Sequence, residues 1–307
     1  MRQIEYLVAA ADAGSVAGAA LRLNVAQPSV SAAIGKLEQQ IGVELFVRHH
    51  AQGVSLTPAG RRLLATARSL LVHAEDWQRQ ATEAGTQIVG ELGVAAFATL
   101  APTFMPALIT EFRRRHPKVS IRLIEGTQDA LIDGLREARF ELALLYEVDL
   151  PGDLAVTQLA SFDPYVLLPA GHRLAKRRSV PLQELAGEPM VLLDVTPSRA
   201  YFTRMLRRAG VEPKIAFSSP SLELVRGLVA RGFGYSLLVT RPHGDHAYEG
   251  LPLAIRPIRG AAEKGLISLA RLAALRPTRL VTTFSDFCSQ WFACEAARSA
   301  RRPLKQV

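Results

Sequence analysis

Two textures meet near residue 90 of this chain, and few folds accommodate both. Up to Ala84 the apolar residues recur at helical spacing; from Glu91 short apolar runs alternate with amphipathic helical stripes. The second texture is the rhythm of strands crossing over through helices, as in a parallel α/β sheet. Within the first, Ile4, Leu7, Val8 and Ala11 share one helical face, and so do Val16, Ala19, Ala20 and Leu23. Gly14 stops the first of these helices, and Ser15 suits the N-cap of the second. A third helix, 28–40, opens on Pro28, whose fixed φ fits a first helical turn, and it is read as burying Val30, Ile34, Leu37 and Ile41 before Gly42 ends it. Residues 45–48 and 53–57 then read as the two strands of a small wing.

Small Ala19 and Ala20 let two helices cross closely, while the third helix keeps Gln27, Ser29, Ser31 and Lys36 on a polar face. Amides and hydroxyls on such a face meet base edges and phosphates in a major groove. Spacing alone fits an ordinary three-helix bundle with a polar surface equally well.

Thr57 and Pro58 open a long helix expected to reach about Ala84. Along it Leu63, Ala67, Leu70, Ala74, Trp77, Ala81 and Ala84 alternate in steps of four and three, the a/d pattern of a coiled-coil seam. Such a helix either packs on its own domain or pairs with a second copy; its place between two domains favours pairing. Gly85 and Gly90 mark its exit.

The formal net charge of the 307 residues is +9, which favours anionic partners without fixing the fold. The excess is poorly focused. Residues 1–62 hold six Lys/Arg against four acids, and much of the surplus lies in 172–178 and in the tail Arg298, Arg301, Arg302 and Lys305, expected to be disordered. Cys288 and Cys294, six apart on a helix, face different ways, which suggests neither a disulfide nor a metal pair and fits a reducing compartment. No apolar run approaches the roughly 20 residues that span a bilayer, and Glu5 and Asp12 interrupt any secretory leader, so the expected location is the cytoplasm, with no membrane partner.

The first sixty residues resemble the DNA-binding head of LysR-type transcription regulators. The likeness is carried by Gly14-Ser15, Ala19-Ala20-Leu21, Leu23, Gln27-Pro28-Ser29-Val30-Ser31, Ile34, Leu37-Glu38, Ile41-Gly42, Leu45-Phe46, Arg48 and Leu56-Thr57-Pro58-Ala59-Gly60. The resemblance implies a winged helix-turn-helix in which Gln27, Pro28 and Ser31 approach DNA at the start of the recognition helix. The chain departs from the family in Ala32-Ala33, where an Arg-Gln pair is common, and in His49-His50-Ala51-Gln52, where the wing often carries arginines. The expected DNA-contacting set is Arg22, Gln27, Pro28, Ser29, Ser31, Ala32, Lys36, Arg48, His49 and His50. The histidines are read as wing residues near phosphate, not metal ligands, because adjacent side chains on a strand diverge.

Beyond the linker helix, strands at 91–97, 119–125 and 141–146 alternate with helices at 100–116 and 130–137. A second unit has strands near 165–168, 190–193, 214–217 and 235–239 and helices 198–209 and 221–230; strand 265–270 and helix 278–297 return to the first unit. Two crossovers, with hinges near Ser161 and Leu266, leave a cleft between two lobes. This layout, with the phrases at 108–119 and 228–238, is similar to the family's two-lobed effector domain, itself similar to a type 2 periplasmic binding protein. The expected domains are 1–57, the winged helix-turn-helix; 58–88, the linker helix; 89–297, the effector domain (lobe 1 at 89–160 and 266–297, lobe 2 at 161–265); and 298–307, the basic tail.

Ligands of open α/β sheets sit at strand carboxyl ends and helix N-termini. The residues there are Thr99, Leu100, Thr127, Gln128, Tyr146, Ser198, Arg199, Tyr201, Ser219 and Ser221; hydroxyls, helix starts and Arg199 suit a carboxylate. Ser198 and Ser221 also read as plain helix caps. His243, Asp245 and His246 read as a polar surface loop. No catalytic constellation, cofactor motif or metal site stands out. The expected function is DNA binding modulated by a small effector. Its partners are promoter DNA, the effector and further copies of the chain as a dimer of dimers, with RNA polymerase a candidate. A solute-binding protein or an enzyme on the same two lobes are the alternatives.

Overall fold

In the computed structural model, residues 1–49, 53–82, 88–260 and 262–301 are described, without the side chains of 78–82 and 297–301. Expectations resting on His50, Gly85, Arg302 and Lys305, and on the side chain of Ala81, lie outside them.

The head is α1 (Arg2–Ala13), α2 (Val16–Leu23), α3 (Gln27–Ile41) and a hairpin of β1 (Phe46–His49) and β2 (Gly53–Leu56). Its stops are the residues whose backbone tolerates positive φ: Gly14 (62°), Asn24 (53°) and Gly42 (73°). The Ser15 hydroxyl caps α2 by accepting from the Gly18 N–H at 3.0 Å. Leu7, Ala10, Ala19, Ala20, Val30, Ile34, Leu45 and Phe46 form the core. Ile41 departs from the expected face: it is 42 % exposed. Glu38 fastens α3 to the wing, accepting from the Leu45 N–H at 2.7 Å and the Phe46 N–H at 3.2 Å.

The linker helix α4 spans Pro58–Thr82. Thr57 caps it, accepting from the Gly60 N–H at 2.9 Å while donating to the Glu44 carbonyl at 2.7 Å. Gly60 is required there: a Cβ would stand 2.2 Å from the Leu45 carbonyl oxygen.

The second half holds β3 (Gly90–Phe97), α5 (Ala101–Arg115), β4 (Val119–Gly126), α6 (Gln128–Arg136), β5 (Leu142–Tyr146) and β6 (Leu154–Phe162), then β7 (Tyr165–Pro169), β8 (Pro189–Leu193), α7 (Ser198–Arg208), β9 (Lys214–Ser219), α8 (Leu222–Ala230), β10 (Ser236–Leu238), β11 (Leu253–Pro257), β12 (Gly265–Leu272) and α9 (Arg279–Arg301). Lobe 1 is a sheet of order β4-β3-β5-β12-β6. Only β4, β3 and β5 are parallel; β12 runs antiparallel to both neighbours, so the sheet is mixed where the sequence suggested a parallel one. Lobe 2 divides into an antiparallel β10-β7-β11 sheet and a parallel β8-β9 pair. Strands β6 and β11 are additions to the sequence reading, and α9 continues past Ala297, so Arg298 and Arg301 belong to a helix.

The chain crosses between the lobes twice, after Phe162 and before Gly265, and these two residues are register partners, as are Ser161 and Leu266. The crossovers therefore lie side by side.

Candidate functional site

On the head, α3 presents Gln27, Pro28, Ser29, Ala32 and Lys36 to solvent, with Ser31 half-buried between them. No side chain caps α3 and its first turn holds no acid, so its positive end stays open to phosphate. Arg48 and His49 are exposed on the wing, where the His49 Nε2 and Ser55 Oγ lie 2.8 Å apart across the hairpin. Arg22 is not idle: it pairs with Asp12 at 3.2 Å.

On the linker helix, Leu63, Leu70 and Trp77 recur every seven residues and are 40 %, 47 % and 70 % exposed. Apolar side chains left in water at heptad spacing are one stripe of a seam. Ala74 is half-buried, and Ala67 belongs elsewhere: it closes the core of its own head. Arg68, between the stripes, donates to the Asp12 carboxylate in α1 and to the Glu137 carbonyl at the end of α6. One side chain thus touches head, linker and lobe 1.

Between the lobes lies a narrow cleft. Lobe 1 supplies Thr99 after β3 and Tyr146 and Val148 at the end of β5; Gly265 comes from the crossover. Lobe 2 supplies Leu193, Pro197, Ser198, Tyr201 and Phe202 around the start of α7, Leu222 at the start of α8, and Leu238, Val239 and Thr240 at the end of β10. Every wall is a strand end or a helix start, the place where such sheets take ligands.

Its polar atoms are hydroxyls. Tyr146 and Thr240 hydrogen-bond across the lobes, and the Tyr165 hydroxyl donates to the Thr240 carbonyl at 3.2 Å. Burial pushes the Tyr146, Tyr165 and Tyr201 phenols up from the ordinary tyrosine range, so all three stay neutral. Tyr201 donates to the Glu263 carbonyl.

Thr99, Tyr146, Ser198 and Tyr201 line this cleft as expected; six others do not. Leu100 is buried in the lobe core. Gln128 is buried and donates to the Val148 carbonyl at 2.9 Å. Thr127 precedes α6 without capping it. Ser219 accepts from the Ser221 N–H at 3.1 Å, and Ser221 caps α8 by accepting from the Leu224 N–H at 3.3 Å. Arg199 turns to the surface, gripping Asp194 through two bonds of 2.6 and 2.5 Å, and the Arg199 guanidinium beside it holds that carboxyl below the usual aspartate range. Ser198 is a buried first-turn residue of α7 rather than its cap, which is Pro197. Thr240 escaped the sequence reading although it directly follows the predicted strand 235–239; the strand-end rule alone would have found it.

A winged helix-turn-helix joined through a long helix to a hinged, two-lobed cleft defines a ligand-sensing DNA-binding regulator. Residues 1–61 match the model of the bacterial regulatory helix-turn-helix protein, lysR family, and residues 85–293 that of the LysR substrate binding domain. The chain belongs to the LysR family of transcriptional regulators. It is 34 % identical over 244 residues to the regulator TfdS of Cupriavidus pinatubonensis, covering 77 % of this chain and 81 % of that one. The crystal structure of HinK, a LysR family regulator from Pseudomonas aeruginosa, is 41 % identical with a TM-score of 0.66, covering 95 % of this chain and 97 % of HinK. A full-length OxyR variant from the same organism gives a TM-score of 0.76 at 27 % identity, over 94 % and 96 % of the two chains. The protein is therefore a DNA-binding transcription regulator with an effector domain, and not an enzyme.

Proposed function

We propose that the start of α3 reads operator bases through Gln27, Pro28, Ser29, Ser31 and Ala32, while Lys36, Arg48, His49, His50 and Arg22 follow the phosphates. Two chains pair along Leu63, Leu70 and Trp77, and Ala74 and Ala81 allow close approach. Pairs associate further through the lobes, where the edge strands β4 and β9 leave Leu123, Ile215 and Phe217 exposed. The protein works in the cytoplasm, with RNA polymerase as a further contact at the promoter. Among the described residues no single helix is long and apolar enough to cross a membrane.

A small effector enters the interlobe cleft and changes how the lobes close about the paired crossovers at Ser161 and Leu266. A ligand moves this equilibrium only by binding one arrangement better than the other. The observation that carries the reading is Arg68, which holds Asp12 of the head and Glu137 of lobe 1 at once, giving lobe movement a direct route to the DNA-binding surface. Gel shifts of the full chain against its own upstream DNA test this. Binding is expected for the wild type and is lost on deleting residues 1–88; retention without the head would refute it.

A further inference from the structure

Among the described residues no charged side chain lines the cleft. Its walls are the side chains of Leu193, Phe202, Leu222, Leu238 and Val239 with neutral hydroxyls between them. The nearest cations stand outside that lining. Arg199 holds Asp194 outside the cleft. Arg226, one turn along α8 from Leu222 and almost fully buried, faces Glu223 at 3.5 Å and donates to the His246 carbonyl at 2.7 Å through one nitrogen, while its Nε and Nη1 have no hydrogen-bond partner among the described residues; it does not line the cleft.

Of the helix starts near the cleft, those of α5, α6 and α8 are occupied, while α7 has no side-chain cap and no acid in its first turn. In α5, Pro102 has no N–H, and the Thr103 and Phe104 N–H groups both return to the Leu100 carbonyl. In α6 and α8, Asp129 and Glu223 occupy the first turn and offset the helix dipole. An anion entering this cleft would shed water and meet no charged side chain in its lining, only the partial positive charge at the start of α7.

One hydroxyl remains for a ligand. Ser198 lines the cleft at the first turn of α7 without a hydrogen-bond partner among the described residues, whereas Tyr146 and Thr240 already bond each other and the Thr99 side chain adjoins the Tyr146 hydroxyl. Beside it, Tyr201 and Phe202 meet edge to face with ring centroids 5.0 Å apart, offering ring edges and faces to an aromatic body.

We infer that the effector is a neutral, largely apolar molecule of one or two rings, with a single hydrogen-bonding group directed at Ser198. The carboxylate suggested by Arg199 in the sequence does not fit, because that guanidinium faces away. The inference rests on the cleft being the effector site, and its test separates the two claims.

The full chain is titrated by calorimetry with matched pairs: benzyl alcohol against benzoate, and indole-3-methanol against indole-3-carboxylate. The alcohols are expected to bind at least about tenfold more tightly than their carboxylates, in the wild type and in Arg199→Ala alike. Leu222→Trp and Val148→Trp, both half-buried positions on the rim, fill the cleft and abolish binding; thermal melts of the two variants show that they fold. Ser198→Ala weakens the alcohols. Tighter carboxylate binding that the tryptophans abolish would overturn the neutral ligand and leave the cleft standing. Alcohol binding that survives both tryptophans would overturn the cleft. Heat from neither series at millimolar ligand would overturn the proposed class.

Discussion

Leu70 sits midway along the exposed stripe of the linker helix, and shortening it to alanine measures what the seam contributes. Within one chain 47 % of its surface stays in water. Full burial of a leucine side chain is worth roughly 1.5–3 kcal/mol, so covering the remaining half gains about 1 kcal/mol per protomer. Both copies lose it, so Leu70→Ala should weaken pairing by about 2 kcal/mol, close to thirtyfold in the dissociation constant. Leu70→Glu adds two carboxylates that must be dehydrated in an apolar seam, and pairing should fall much further. Sedimentation velocity across a dilution series reads the assembled fraction directly. Stability of the single chain should barely move, because Leu70 lies outside the head core that includes Ala67. If both variants assemble like the wild type, the stripe is not the seam.

Other expectations follow from single contacts. Arg68→Ala should leave operator affinity in the absence of effector nearly intact while erasing most of the effector-induced change, a coupling typically worth about 1–3 kcal/mol; an unchanged response in gel shifts would remove Arg68 from the relay. Ser15→Ala takes away the acceptor of the Gly18 N–H and should destabilise the head by about 1 kcal/mol, seen as an earlier melting of the helical signal. Gly60→Ala drives a methyl into the Leu45 carbonyl and should loosen the joint between wing and linker, read as faster amide exchange at Leu45 and Phe46; unchanged protection there would argue against the close approach.

The head was legible because its signals are local. Each helix has its apolar stripe and its Gly or Asn stop, with a Ser15 cap on α2 and a fixed φ at Pro28, and none depends on a distant partner. Strands β6 and β11 were not legible: β6 lies at the sheet edge with Val156, Thr157 and Gln158 exposed in a row, so it has no regular period of two. The direction of β12 was equally hidden, since pairing with β5 and β6 is decided far from its own sequence.

In the cleft, the strand-end rule located Thr99, Tyr146, Ser198 and Tyr201 but could not tell which neighbouring side chains turn inward. Arg199 shows why. Asp194, five residues earlier at the end of β8, captures it, and that capture depends on the course of the intervening turn. Ala67 shows the same limit on the linker: its heptad position matches Ala74, yet the head packs over it first.

The most direct test of the central claim is to mix the purified full chain with fragmented genomic DNA and sequence what it retains, beside a Gln27→Ala, Ser31→Ala double variant. Each good base contact is worth about 1–3 kcal/mol, so the wild type should enrich discrete sites built on a twofold repeat, and the variant, equally folded, should lose that enrichment while keeping weak, salt-sensitive binding. Uniform coverage by the wild type, or the same discrete sites retained by the variant, would contradict the assignment of α3 as the reader.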